Sequence, residues 1–287
     1  MNVEMFKVTK KEKVSAAISK FYPTISYGLV RKLFRNKDVK VNGKRVSDDV
    51  IVNVGDEICF YIKEDVSEKL LDVVFEDENI VVVFKPRNIE TVSENDIDLK
   101  QKLELQIKTK CFAVHRLDRN TQGLVIFAKN EKAKEELDLA FKNRTIEKFY
   151  LALVYGLLSE KQKNMIAYLK KDSAKSMVFV SDECYSGYEK IQTNYKVLEE
   201  FDDKTLIEVE LVTGKTHQIR AHFAHIGHFV VGDEKYGDSK INRLLKKKYQ
   251  CLCAYKIIFN FNDGCLKYLN GKEICLEKNK IDFCQNL

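Results

Sequence analysis

A polar loop in the middle of the chain, His115-Arg116-Leu117-Asp118-Arg119-Asn120-Thr121-Gln122-Gly123, leads directly into the apolar run Leu124-Val125-Ile126-Phe127-Ala128-Lys129. This run is short, apolar and preceded by a turn residue, which is typical of a buried strand. Asp118 therefore lies just before a rigid element, where a loop can present a side chain to a ligand. Most loop aspartates instead form a structural ion pair or cap a turn, and this segment alone leaves both interpretations open.

The size and composition of the chain are those of an ordinary globular protein. With 287 residues, 45% of them hydrophobic, it can form a sizeable core, and we expect two domains. No run of about 18 apolar residues occurs, and the N-terminus lacks the apolar core of a secretory signal. Eight cysteines without a C-x-x-C pair favour free thiols in a reducing compartment. We therefore expect a cytoplasmic protein that does not bind membranes.

The excess positive charge is concentrated near the N-terminus. The net charge of the chain is +6, and residues 1–62 contain 12 Lys and Arg against 7 Asp and Glu. The rest of the chain is therefore close to neutral. This asymmetry predicts an anionic partner for the N-terminal part, with nucleic acid favoured over a membrane surface.

The pattern of the N-terminal segment is that of a small α/β unit. Apolar residues recur at helical spacing over residues 14–21 and again over 29–34, where Ser26 can cap the second helix. Asn42-Gly43 between alternating valines predicts a β-hairpin, and residues 58–62 predict a closing strand.

This order resembles the S4-type RNA-binding domain and covers residues 1–62. In that family the second helix and the following loop contact RNA phosphates. The resemblance implies RNA-binding roles for five basic residues, each of which could alternatively be a solvated surface charge: Arg31, Lys32, Arg35, Lys37 and Lys44.

The remaining sequence predicts a larger second domain, over residues 71–287, after a polar linker at 63–70. Its helices and strands are mixed, so the expected fold class is α+β. A helix is predicted over residues 131–142, and strands are predicted over 80–84, 147–156 and 207–211, near 177–180 and 191–198, and in the last fifty residues.

A second polar motif follows one of these strands. Thr213-Gly214-Lys215-Thr216-His217-Gln218-Ile219-Arg220 spans the end of the strand and the start of a short helix, predicted over residues 219–226 and closed by Gly227. The end of a strand and the first turn of the next helix can aim two side chains at one place. We therefore expect His217 and Arg220 to face the same site.

Motifs of several other enzyme classes are missing. Four of the five histidines lie within residues 217–228, but they contain no helical i, i+4 pair and no H-E-x-x-H pattern. The chain also lacks a Gly-rich phosphate loop, a G-x-S-x-G motif and a C-x-x-C set. We therefore expect no metal site and no nucleotide or serine hydrolysis.

Several short motifs occur in one order along the chain and together resemble the RluA-type family of pseudouridine synthases over about residues 71–260. The motifs that carry the resemblance are Lys85-Pro86, His115-Arg116-Leu117-Asp118 with Thr121 and Gly123, Lys148-x-Tyr150, Thr213 to His222, Gly227-His228, and Gly232-Asp233 with Tyr236-Gly237. The resemblance implies a catalytic domain built on a mixed, mainly antiparallel sheet with flanking helices. It further implies isomerisation of uridine in structured RNA, most directly large-subunit ribosomal RNA, without a cofactor.

Four residues acquire roles from this resemblance. Asp118 is the catalytic residue, as covalent nucleophile or base, in a reaction that breaks the N1–C1′ bond, rotates the uracil and rejoins it through C5. Arg220 keeps the aspartate ionised and aimed. Tyr150 stacks on the target base and can relay a proton. Arg116 fills the RNA helix when the uridine is flipped out.

The sequence departs from the family pattern at a few positions. Gln122 replaces the usual Ser, Lys215 replaces Arg and Phe229 replaces Pro, and the region after Pro86 lacks the usual His-Pro. None of these changes involves the carboxylate.

Two other functional classes stay open. One is a non-catalytic RNA-binding or ribosome-assembly protein, against which the intact set of Asp118, Tyr150 and Arg220 argues. The other is a nucleoside hydrolase, against which the N-terminal domain and the missing second acid argue. The sequence identifies neither the RNA nor the uridine, so transfer RNA is an alternative substrate. No obligate protein partner is evident, and we expect a monomer.

Overall fold

The computed structural model describes residues 2–22, 25, 27–62, 70–93 and 98–285. The chain forms two compact units, one from residues 1–71 and 92–108 and the other from residues 72–91 and 109–287. The predicted helix cap Ser26 and all of the predicted linker except Leu70 lie outside the described residues. The domain boundaries at residues 62 and 71 stay predictions.

The first unit combines a small sheet with helices. Its elements are β1 (Asn2–Lys7), β2 (Glu12–Lys13), α1 (Val14–Phe21), α2 (Tyr27–Arg35), β3 (Val39–Val41), β4 (Lys44–Val46), β5 (Ile51–Val52), β6 (Glu57–Ile62) and α3 (Leu99–Ile107). Four strands form a sheet in the order β1-β6-β3-β4, and β2 pairs with β5. The apolar stripes of α1 and α2 pack with residues of β3 and β6 in one core.

The β3–β4 hairpin has the predicted turn. Asn42 and Gly43 connect the strands, and both have positive φ angles, 50° and 79°, as the common two-residue hairpin turn requires. Strand β1 was not predicted. Its outward residues, Val3 and Met5, are apolar and about half exposed, while Glu4 is partly buried, so the apolar residues of the sequence are not the buried residues of the strand.

The second unit is built on one large sheet. Its elements are β7 (Val73–Glu76), β8 (Ile80–Lys85), β9 (Phe112–Ala113), β10 (Gln122–Ala128), α4 (Glu131–Asn143), β11 (Ile146–Tyr155), β12 (Gln162–Asp172), β13 (Met177–Ser181), β14 (Glu189–Glu200), β15 (Lys204–Leu211), α5 (Gln218–His225), α6 (Ser239–Leu244), β16 (Leu252–Phe259) and β17 (Glu273–Cys275). The main strand order is β13-β12-β14-β15-β11-β16-β10-β8-β7. Among the described strands only the pair β10–β16 is parallel, which confirms the prediction of a mixed, mainly antiparallel sheet.

Strand β10 is the predicted buried strand, and all seven of its residues are buried. At its start, Gly123 has a φ of 129°, and a Cβ atom there would lie 2.2 Å from the carbonyl oxygen of Ala254. Only glycine permits this close approach between β10 and β16. The strand therefore begins directly after the Asp118 loop and holds its end in place.

The prediction of closing strands in the C-terminal fifty residues is confirmed for only part of that region. The region contains β16 and the short β17, but also helix α6 and two short 3₁₀ helices, Lys267–Leu269 and Lys278–Lys280. Helix α6 begins because the Asp238 side chain accepts hydrogen bonds from the backbone N–H groups of Lys240 and Ile241. The apolar residues that suggested strands are buried from turns instead, among them Leu266, Ile281 and Phe283.

Strand β12 and helix α3 are further elements that were not predicted from the sequence. In strand β12, Ile166 and Tyr168 lie between the buried residues Met165, Ala167 and Leu169, so its sequence shows a short apolar run with polar ends and no alternation. Helix α3 begins with a capping box between Asp98 and Gln101. No helix among the described residues is long and apolar enough to cross a membrane.

Candidate active site

A cleft of about 1170 Å³ lies in the second unit, next to the loop that carries Asp118. Its walls include residues 114–119, Tyr150 and residues 211–220. Of the residues that line the cleft, ten are Lys or Arg and three are Asp or Glu. Such an excess of positive charge in a concave site attracts a polyanion.

The backbone around Asp118 is held by neighbouring groups. The N–H of Leu117 donates a hydrogen bond to Thr91 Oγ1 (3.1 Å), and the N–H of Thr121 donates to the carbonyl oxygen of Asp118 (3.0 Å). Leu117, Thr91 and Thr121 are buried, whereas 26% of the Asp118 side chain is exposed. The loop therefore presents the carboxylate to the cleft from a fixed backbone.

Lys85, at the end of β8, fastens the Asp118 loop to the segment that follows Pro86. Its buried Nζ donates hydrogen bonds to the carbonyl oxygens of Pro86 (3.0 Å), Ile89 (2.8 Å) and Arg119 (3.0 Å). Burial lowers the pKa of Lys85 to about 7, although the charge of Asp118 raises it. Three carbonyl acceptors match the three N–H donors of an ammonium group and favour the charged form. The sequence motif included Lys85 but assigned it no role.

The departure at Gln122 has a structural explanation. Its side-chain N–H donates a hydrogen bond to Asp282 Oδ1 (2.8 Å), and Asp282 also forms a two-contact ion pair with Arg87. Arg87 lies in the segment after Pro86. The C-terminal residues thus connect this segment to the start of β10, an arrangement that the longer Gln side chain makes possible.

His115 has a structural role in the same region. Its Nε2 accepts a hydrogen bond from the backbone N–H of Ile126 (2.9 Å), and its ring packs against Phe141. Burial and, less strongly, the charge of Lys148 lower the pKa of His115 to about 3. The neutral imidazole therefore ties the loop to β10.

Arg220 connects Asp118 to a second carboxylate. Its Nη1 lies 2.8 Å from Asp118 Oδ2, while Nε and Nη2 donate to the two oxygens of Asp233 at 2.6 and 3.0 Å. Burial alone would lower the pKa of Arg220, but the hydrogen bonds and charges of Asp233 and Asp118 outweigh it and raise the pKa. The side chain of Asp233 is fully buried and also accepts hydrogen bonds from the N–H groups of Lys235 and Tyr236. Asp233 therefore positions Arg220, a role the sequence did not reveal.

The start of α5 is anchored from inside the protein. The buried Gln218 side chain accepts hydrogen bonds from Thr213 Oγ1 (2.9 Å) and the N–H of Lys215 (3.1 Å), and donates to Thr193 Oγ1 (2.9 Å). The helix ends at His225, so Ile226, which was predicted to belong to the helix, lies just after it. This anchor sets the direction of the first turn, which carries Arg220.

Two further departures from the family pattern, Lys215 and Phe229, make no contact with Asp118 or Arg220 among those described above. Lys215 forms an ion pair with Glu189 at the surface of the cleft. Phe229 stacks on Tyr155 with 5.1 Å between the ring centroids. Both substituted side chains therefore have partners of their own.

Tyr150 lies on β11 between β15 and β16, with only 7% of its surface exposed. A register shift between Phe149 and Tyr150 interrupts the pairing with β16 at this point. Burial, followed by the charges of Asp118 and Cys253, raises the pKa of Tyr150. Its phenol therefore keeps its proton at neutral pH.

The structure brings Asp118, Tyr150, Arg220 and Arg116 to one cleft, where Arg116 is exposed. The five basic residues predicted to bind RNA belong to the first unit, where all are exposed: Arg31, Lys32 and Arg35 on α2, Lys37 just after it, and Lys44 at the start of β4. Among the described residues no group of three or more His, Cys, Asp or Glu is arranged to hold a metal ion.

Comparison with known proteins identifies the family of the chain that carries this basic cleft. Residues 79–225 match the family described as RNA pseudouridylate synthase. An uncharacterized RNA pseudouridine synthase of Mycoplasma capricolum is 32% identical to this chain. The match covers 90% of this chain and 91% of the Mycoplasma protein. The chain is 29% identical, over 94% of its length, to the ribosomal large subunit pseudouridine synthase C of Rickettsia bellii, covering 96% of that protein. The chain therefore belongs to the RNA pseudouridylate synthase family.

A solved structure shares the fold. Human RNA pseudouridylate synthase domain containing 1 superposes with a TM-score of 0.62 at 24% sequence identity, over 75% of this chain and 87% of the human chain. The likeness confirms the predicted sheet architecture of the second unit. The predicted S4-type domain stays a prediction.

Proposed function

We propose that this isomerase converts specific uridines of large-subunit ribosomal RNA to pseudouridine and that Asp118 is its catalytic carboxylate. The observation that carries the proposal is the pairing of Asp118 with Arg220 at 2.8 Å in a cleft lined mainly by basic residues. Both relatives are RNA pseudouridine synthases, and the name of the Rickettsia protein specifies the large ribosomal subunit. Transfer RNA is the alternative substrate.

The geometry suits a reaction in which one base is detached and rejoined. Isomerisation breaks the N1–C1′ bond, forms a C5–C1′ bond and exchanges a proton on C5 for one on N1, so no atom is gained or lost. Arg220 contacts only Oδ2 of Asp118. Oδ1 is therefore the oxygen available to act on the nucleotide, as nucleophile or base. No cofactor is required by this balance.

Tyr150 contributes a ring and a protonated hydroxyl at the same cleft. A ring held in a sheet can stack on a flipped base, a contact worth about 1–3 kcal/mol. Because the phenol keeps its proton, Tyr150 acts first as a donor or as one step of a proton relay. Arg116, exposed on the adjoining loop, can occupy the space that the flipped uridine leaves in the RNA.

Two substitutions of Tyr150 separate these roles. Tyr150→Phe keeps the ring, so RNA binding should persist while the single-turnover rate falls by about 10²-fold or more. Tyr150→Leu should also weaken binding, because it removes the stacking surface. Single-turnover kinetics at saturating enzyme measure the first effect, and equilibrium binding measures the second. Tyr155→Phe, on the same strand, is the control. A wild-type rate for Tyr150→Phe would leave Tyr150 only a packing role.

The first unit is proposed to be an S4-type domain that supplies RNA affinity. Its five basic side chains are exposed, and phosphate contacts made by such side chains release counterions. The unit contains none of the residues that line the cleft. It therefore contributes to the choice of RNA and not to the chemical step, and one monomer is sufficient for both.

A triple variant in which Gln replaces Arg35, Lys37 and Lys44 should bind RNA more weakly, and its binding should depend less on salt concentration. Each lost phosphate contact should reduce the slope of log K against log salt by about 0.7–0.9. Binding titrations at several salt concentrations measure the slope. The control is a triple variant in which Gln replaces Lys161, Lys163 and Lys196, because its net charge changes by the same amount. An unchanged slope would remove these residues from the RNA interface. The single-turnover rate at saturating enzyme should stay near wild type.

Pseudouridine mapping by chemical labelling tests the proposed substrate. RNA from cells with and without the gene should differ at one or a few large-subunit uridines, and the purified enzyme should restore them. If only transfer RNA differs, transfer RNA and not ribosomal RNA is the substrate. No difference in either RNA would contradict it.

A further inference from the structure

We propose that His217 is a positioning residue of the reaction, which directs a neutral Nε2–H at Oδ2 of Asp118 and so leaves Oδ1 for the substrate. The inference rests on the proposed function of Asp118. His217 Nε2 lies 3.7 Å from Asp118 Oδ2, the same oxygen that Arg220 contacts at 2.8 Å. Two donors from one helix start thus converge on one carboxylate oxygen.

The hydrogen bonds of Tyr236 select the tautomer of His217. The Tyr236 hydroxyl lies 2.8 Å from His217 Nδ1 and accepts a hydrogen bond from the backbone N–H of Val178 (2.9 Å). A backbone N–H can only donate, so the hydroxyl proton remains available for Nδ1, the one acceptor recorded near it among the described residues. If every one of these groups has a hydrogen-bond partner, the Tyr236 hydroxyl donates to His217 Nδ1, and the ring proton of His217 is on Nε2.

The position of His217 is held from several sides. Its side chain is only 12% exposed and packs edge-on against the ring of Tyr236. The guanidinium of Arg220 lies over the same ring, 5.3 Å from its centroid. The backbone of His217 is left-handed, with a φ of 54°, a conformation that His, Asn and Asp adopt more often than other non-glycine residues.

The charges around His217 favour its neutral form. Burial lowers the pKa of His217, and the positive charges of Arg220 and Lys235 lower it further, while the carboxylates of Asp118 and Asp233 oppose them. A neutral donor orients the carboxylate without forming a full ion pair. Asp118 therefore keeps more of its negative charge for the reacting atoms than it would beside an imidazolium.

The tautomer can be measured directly by nitrogen NMR of the full-length protein labelled with [¹⁵N]histidine. At pH 7.5 the His217 signals, identified by their absence in His217→Gln, should be those of a neutral ring protonated on Nε2. Tyr236→Phe removes the hydroxyl and should increase the form protonated on Nδ1. A charged ring, or a wild-type ring protonated on Nδ1, would overturn the proposal.

Two substitutions of similar chemistry provide the kinetic test. His217→Gln can place an amide N–H near the position of Nε2, whereas the shorter His217→Asn cannot, and Asn tolerates the left-handed backbone well. Loss of the Nε2–H that points at the charged carboxylate should lower the single-turnover rate of His217→Asn by about tenfold, with RNA affinity within about twofold of wild type. His217→Gln should recover most of that rate.

The outcomes separate this inference from the proposed function. Equal rates for His217→Asn and wild type, with Asp118→Asn inactive, would overturn the positioning role alone. Equal losses in the Asn and Gln variants, with normal melting temperatures, would also overturn it, because a restored N–H would then have no effect. Turnover by Asp118→Asn would overturn both proposals.

Discussion

Asp118→Asn is expected to abolish pseudouridine formation while the protein folds and binds RNA as before. A neutral amide can act neither as the nucleophile nor as the base, so the rate should fall by at least about 10³-fold. The fold should tolerate the change because the Asp118 side chain is 26% exposed and Arg220 keeps both of its contacts with Asp233. The melting temperature should therefore stay close to that of the wild type.

Single-turnover conversion of a target RNA, together with thermal unfolding and RNA binding, measures these effects. Asp202→Asn, an exposed aspartate in the turn after β14, provides the matched control and should behave as wild type. Turnover by Asp118→Asn at more than a trace of the wild-type rate would contradict the assignment. A large loss of stability would instead show that Asp118 is chiefly structural.

Arg220→Met is expected to lose both activity and stability. The substitution removes the partner of Asp118 and leaves the fully buried carboxylate of Asp233 without a counter-charge. Breaking a buried ion pair from one side typically costs about 3–5 kcal/mol. Two backbone N–H groups also donate to Asp233, so we expect a loss near 3 kcal/mol in the free energy of unfolding.

A second substitution separates the two effects. In Arg220→Met with Asp233→Asn, the buried charge is removed, so much of the lost stability should return while activity stays absent. Urea unfolding and single-turnover kinetics measure the two quantities, and the exposed Arg243→Met serves as the control. Recovery of activity in the double variant would show that Arg220 acts only through the stability of the fold.

Local signals in the sequence were sufficient for several elements. The Asn42-Gly43 turn, the buried run after Gly123 and the helical stripe of α4 depend on neighbouring residues, so their patterns are legible without the fold. In the C-terminal region only β16 and β17 confirm the predicted strands. Its other buried apolar residues lie in turns and short helices, which a sequence pattern cannot distinguish from strands.

The sequence by itself determined the class of enzyme and named Asp118, Tyr150, Arg220 and Arg116, because each lies in a short motif. Only the tertiary structure decided what holds them. Arg220 reaches Asp118 across 102 positions of the chain, and Gln122 reaches Asp282 across 160. Such pairings arise when loops, helices and turns that are distant in sequence become neighbours in the fold, and no local pattern encodes them. The structure therefore supplied the contacts of Lys85 and Asp233 and the geometry behind the proposed role of His217, because all three depend on distant partners.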